Sequence, residues 1–116
     1  MLVLVVQQYA AVRDVLVEAL RMEGYRVVAG DHREALDALR RANVAKPDVV
    51  LLDVHGDARG VAQELRRVHG EGVPVVAVTT MPGRLDGSEV GAAAVLPLPF
   101  ELDALFECVE RFRHPN

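Results

Sequence analysis

At 116 residues, 51% of them apolar and 26% charged, the chain has the makeup of one folded domain with a real core rather than a disordered segment. Its formal net charge is −4, with seventeen acidic and thirteen basic residues and no basic run, which argues against direct contact with nucleic acid. The opening apolar run, Leu2 to Val6, has no basic flank and is too short for a signal segment or a membrane span, so a cytoplasmic protein without membrane contact is expected.

That valine-rich run has the pattern of a strand buried on both faces. From Val12 onward, Val12, Val15, Leu16, Ala19 and Leu20 recur at helical spacing until Gly24 offers a stop. A second β-prone run covers Tyr25 to Ala29. Asp31 followed three residues later by Glu34 then forms a capping-box start for a helix carrying Ala35, Leu36, Leu39 and Ala42. Pro47 introduces a third strand, Asp48 to Asp53, and a helical pattern follows on Val61, Leu65 and Val68. Val73 to Thr79 repeats the strand signal. The stretch MPGRLDGSEV then weakens it, because Gly83 and Gly87 argue against a long helix. Gly91 to Leu98 is a fifth strand, and from Phe100 onward Leu102, Leu105, Phe106, Val109 and Phe112 share one helical face.

Strands alternating with helices through short loops predict an α/β fold: a flavodoxin-like, doubly wound, five-stranded parallel sheet in the order 2-1-3-4-5. Helices cover both faces, and the one between the fourth and fifth strands is short or irregular. In such sheets ligands sit at the carboxyl ends of the strands. Those ends carry Gln7 and Gln8, Asp53, Thr79 and Thr80, and Pro97-Leu98-Pro99.

Over residues 1–116, as one domain, the sequence resembles the receiver domain of bacterial two-component response regulators, the CheY-like family. The resemblance rests on LVLVVQQYAAVRDVLVEALRMEGYRVV, PDVVLLDV, VPVVAVTT and GAAAVLPLPF. It implies a site in which two acidic residues after the first strand hold Mg²⁺ and an aspartate after the third accepts a phosphoryl group. A hydroxyl residue, an aromatic and a lysine complete that site. Asp53 and Thr79 match the phosphoacceptor and hydroxyl positions. The acidic pair falls on Gln7 and Gln8, the aromatic on Val95 and the lysine on Leu98. Twelve of the thirteen basic residues are arginine, and the sole lysine, Lys46, precedes the third strand at the end away from the site.

Phosphoryl transfer depends almost wholly on positioning and charge stabilisation. Losing both metal and lysine therefore slows it by at least about a thousandfold, taking ~4 kcal/mol as the lower figure. The expected function is that of a pseudo-receiver, a phosphorylation-independent protein-interaction module in bacterial signal transduction. It would not be an enzyme and would carry no cofactor, and its partner would be a signalling protein or a second copy of the chain. In place of metal, the side-chain amides of Gln7 or Gln8 are expected to hold Asp53. One alternative is a working receiver phosphorylated on Asp53, with a rebuilt Mg²⁺ site made of Asp53, Asp57 and water. A weaker one is a small-ligand sensor using the neutralised pocket.

Plainer readings accompany these. The loop VHGDARG, shorter than usual for the family, reads as solvated, because hard cations want several converging oxygens. Cys108, between Phe106 and Val109, excludes an internal disulfide and reads as packing. His32, His69 and His114 have no metal-binding or catalytic spacing and are assigned no role. Thr79 is as well explained by strand-end hydrogen bonding as by a switching role, and Leu98 by burial over the site. No phosphate-binding, dinucleotide-binding or serine-hydrolase motif is present.

Overall fold

The structure, a computed structural model, describes residues 1–80 and 90–113. Its elements are β1 (Leu2–Val6), α1 (Ala10–Met22), β2 (Arg26–Gly30), α2 (His32–Arg40), β3 (Val49–Asp53), α3 (Ala58–His69), β4 (Val75–Thr79), β5 (Ala94–Pro97) and α4 (Leu102–Glu110). All strand pairs are parallel and the sheet order is β2-β1-β3-β4-β5, as the alternation of elements predicts. The helix expected between β4 and β5 lies outside the described residues.

Every residue of β1, β3 and β4 is buried, because helices cover both faces of the central strands. Side chains alternate between two cores, as the two-residue period of a strand requires. Leu4, Val6, Val50 and Leu52 pack with Leu39, Val61 and Leu65 under α2 and α3. Val3, Val5, Val49 and Leu51 pack with Leu16, Leu20, Leu105 and Val109 under α1 and α4. Cys108 belongs to this second core, and burial pushes its thiol up, as suits a packing residue.

Several boundaries differ from the sequence reading, each for a local reason. β2 starts at Arg26, not Tyr25, because Leu2 of β1 pairs with Arg26. Tyr25 instead donates its hydroxyl to Glu110 Oε2 at 2.6 Å, tying the start of β2 to the end of α4. That bond, with a second from Arg113, holds the Glu110 carboxyl below its ordinary range. β4 begins after Pro74, whose nitrogen has no hydrogen to give the ladder. β5 is shorter than expected at its start because Gly91 has φ 67°, outside the extended region. Ala42 is not on the α2 face: it adopts φ 56° beyond the helix end, where the amides of Ala42 and Asn43 bond back to Leu39 and Ala38. Phe100 and Phe112 flank α4 and pack on the same core as the helix itself.

The capping box of α2 forms as predicted. Glu34 N–H donates to Asp31 Oδ1 at 2.8 Å, and Asp31 N–H donates to Glu34 Oε1 at 3.0 Å. Asp31→Ala is expected to lower unfolding stability by about 1 kcal/mol, while Asp31→Asn, which keeps the acceptor, is expected to lose less than half of that; urea denaturation checks both.

Candidate functional site

Asp53 is the last residue of β3 and only 2% exposed, so its carboxylate needs internal partners. It has two. The main-chain N–H of His55 donates to Oδ1 at 2.9 Å, and that of Gln8 donates to Oδ2 at 3.3 Å. The expectation that glutamine side-chain amides hold Asp53 is therefore corrected. Two short loops turn backbone N–H groups toward the carboxylate, and among the described residues no side chain donates to it.

Gln7 continues β1, its N–H donating to the Gly30 carbonyl at 3.0 Å, and its side chain is 1% exposed. Its Oε1 accepts the Tyr9 N–H at 3.3 Å, which occupies the acceptor end of the amide. Among the described residues its Nε2 is buried without a hydrogen-bond partner. The Gln7 carbonyl accepts from Arg13 Nη1 at 3.0 Å. Gln8 is exposed, with its Oε1 close to Gly56.

Thr79 ends β4 fully buried, and its carbonyl accepts the Leu98 N–H at 2.7 Å; Thr80 beside it is exposed. Val95 pairs with Ala77 in the sheet and is half-buried. Leu98, followed by a cis bond to Pro99, is half-buried and packs against the core under α1 and α4. Lys46 lies at the opposite end of the sheet, its Nζ 4.0 Å from where a Cβ on Gly72 would stand. The topology thus gathers Gln7, Gln8, Asp53, Thr79 and Leu98 at one end and leaves the lysine at the other.

The residues present do not fit Mg²⁺. Hard cations take several oxygen ligands, usually carboxylates. Here Asp53 is the only acidic residue among the matched positions, both of its oxygens already accept N–H groups, and Gln7 adds a buried donor. Asp57 turns away to cap α3, its Oδ1 accepting the Gly60 N–H at 3.1 Å. Among the described residues no three His, Cys, Asp or Glu side chains converge as a metal site.

The sequence reading missed His32. Its ring is buried, 6% exposed, with Nε2 2.7 Å from the Asp53 carbonyl oxygen. The only signal available was its place directly after the Asp31 cap, which starts a helix beside the carboxyl end of β3.

Between α1 and the β5–α4 connection runs an apolar groove of about 640 Å³, lined by Ala11, Val12, Val15, Leu98, Phe100 and Leu102 among others. Val15 and Leu102 are each 54% exposed, and both also line an adjoining groove bordered by Glu18 and Glu23.

Comparison with known proteins agrees with this arrangement. The chain is 37% identical over 110 residues to the response regulator MprA of Mycolicibacterium vanbaalenii, covering 89% of this chain and 46% of that protein. It is 37% identical over 119 residues to a probable transcriptional regulator, ycf27, of Guillardia theta, covering 94% of this chain and 45% of that one. The chain thus spans about half the length of these curated relatives. The crystal structure of the chemotaxis response regulator CheY4 of Vibrio cholerae superposes with a TM-score of 0.80 at 25% identity, covering 97% of this chain and 98% of that one. Residues 3–110 match the family model of the response regulator receiver domain. With the strand order, the position of Asp53 and these likenesses in agreement, the chain belongs to the response regulator receiver domain family of two-component signalling.

Proposed function

We propose that this chain is a pseudo-receiver, a protein-interaction module of signal transduction whose output does not depend on phosphorylation of Asp53. The observation that carries this reading is the Asp53 carboxylate itself, satisfied by two main-chain N–H groups, with neutral Gln7 and Leu98 at the same end of the sheet. A phosphoryl group placed there would add a multiply negative charge with neither a metal site nor a lysine to balance it. The module works in the cytoplasm without catalysis of its own, without a resident cofactor and without direct contact with nucleic acid.

The apolar groove beside α1 supports a protein partner, because contiguous exposed apolar surface with a polar rim marks an interaction site. With Glu18 and Glu23 along its edge, it suits an amphipathic helix with basic flanks better than a second copy of this acidic chain.

Incubation with an acyl phosphate and Mg²⁺, followed by intact mass, tests the central claim. No phosphoryl adduct is expected under conditions that fully label a receiver carrying the acidic pair and lysine. An adduct that disappears in Asp53→Asn would make the chain a working receiver and overturn the proposal.

A further inference from the structure

We propose that His32 is a latch that pins the segment after β3 to the first turn of α2 and so holds the peptide carrying Asp53 in one conformation. The inference rests on geometry alone and stands whether or not Asp53 accepts a phosphoryl group.

Three observations converge on it. First, Nε2 of the buried ring lies 2.7 Å from the Asp53 carbonyl oxygen. A carbonyl only accepts, so Nε2 carries the hydrogen and the tautomer is set by this contact. Second, the helix turn that presents His32 is rigid, because the Asp31–Glu34 capping box satisfies it from both directions. The latch therefore runs from an anchored helix start to a strand end 21 residues away in sequence. Third, the loop passes close to the ring at Gly56. Gly56 has φ 67°, and a Cβ built there would come within 3.1 Å of His32 Nδ1 and 3.2 Å of Gln8 Oε1. Glycine suits that position for its positive φ, and an added Cβ would press on the histidine.

The adjoining peptide is held from the other side. Val54 N–H donates to the Val78 carbonyl at 3.2 Å, and His55 N–H donates to the Asp53 carboxylate at 2.9 Å. If the loop lifted, Nε2–H would be left buried with no acceptor, which is the costly way to lose a hydrogen bond. The face of α2 and the Asp53 site are mechanically joined through this one side chain.

Amide hydrogen exchange, read residue by residue by NMR, tests the latch, because local opening is visible against the exchange of the sheet interior. His32→Leu keeps most of the volume and removes the donor, whereas His32→Gln retains an N–H of similar reach. His32→Leu is expected to speed exchange at Val54 and His55 by about tenfold more than at Val5 and Val76, the worth of one net hydrogen bond. His32→Gln is expected to stay within about threefold of the natural chain, most of that gain suppressed. Equal acceleration everywhere, or none at Val54 and His55, would overturn the proposal. Should His32→Leu fail to fold, His32→Phe takes its place, since it keeps a ring and removes the donor. Local acceleration at Val54 and His55 in that variant supports the latch, and unchanged exchange refutes it.

Discussion

Gln7→Asp is expected to be about 2–4 kcal/mol less stable at pH 7 than Gln7→Asn, measured by urea denaturation of the two variants. The comparison isolates charge, since Asp and Asn have nearly the same shape and both shorten the natural side chain equally. Val6 pairs with Leu52 across β1 and β3, so the next residues, Gln7 and Asp53, are neighbours at the same end of adjacent strands, spaced about 4.8 Å. Two carboxylates about 4 Å apart repel by ~4 kcal/mol at an effective dielectric of 20. Burial adds to the penalty, because Gln7 is 1% exposed.

The pH dependence of that difference has a definite sign. Both burial and the Asp53 charge would raise the folded-state pKa of the new carboxyl above its unfolded value, ~3.9. The penalty is then absent below the unfolded value, grows as pH rises through the interval between the two, and is complete above the folded value. A difference below ~0.5 kcal/mol at pH 7 would mean that the site tolerates a second negative charge, and that the neutral glutamine does not relieve electrostatic strain.

Leu51→Ala is expected to cost about 3–4 kcal/mol, a loss comparable to the lower range of total stability for a domain of this size. Leu51 is fully buried in the middle of β3, between Val5 of β1 and Val76 of β4, and packs in the core under α1 and α4. Strands on both sides prevent the sheet from closing over the space that the truncation leaves, so the cavity term adds to the lost transfer energy. The control is Val28→Ala, on the edge strand β2 and 42% exposed, for which a change within about 0.5 kcal/mol is expected. Thermal and urea unfolding of the pair checks the contrast. Similar losses in both would mean that the central strands do not carry the core as described.

How much of the molecule was legible beforehand depended on whether the signal was local. The valine-rich runs of β1, β3 and β4 announced buried parallel strands because covering both faces leaves no polar alternation. Asp31 and Glu34 announced the start of α2 because a capping box is made within four residues. The site positions Asp53, Gln7, Gln8, Thr79 and Leu98 were also legible, since a parallel sheet brings the carboxyl ends of its strands together and leaves Lys46 at the other end.

Contacts between segments distant in sequence were not legible in the same way. Asp53 is held by main-chain N–H groups, which every residue but proline possesses, so no residue type advertises them, and the side-chain amides of Gln7 and Gln8 were the misleading local candidates. His32 looked idle because its acceptor is a backbone carbonyl 21 residues away, invisible to any motif. The end of α2 at Arg40 and the positive φ of Ala42 likewise follow from how the chain turns toward β3. The sequence by itself determined which residues meet at the sheet's carboxyl end, because strands alternating with helices run parallel and so end on the same side. Only the tertiary structure decided which atoms satisfy Asp53 there, because backbone hydrogen bonds depend on how loops close in space rather than on which side chains they carry.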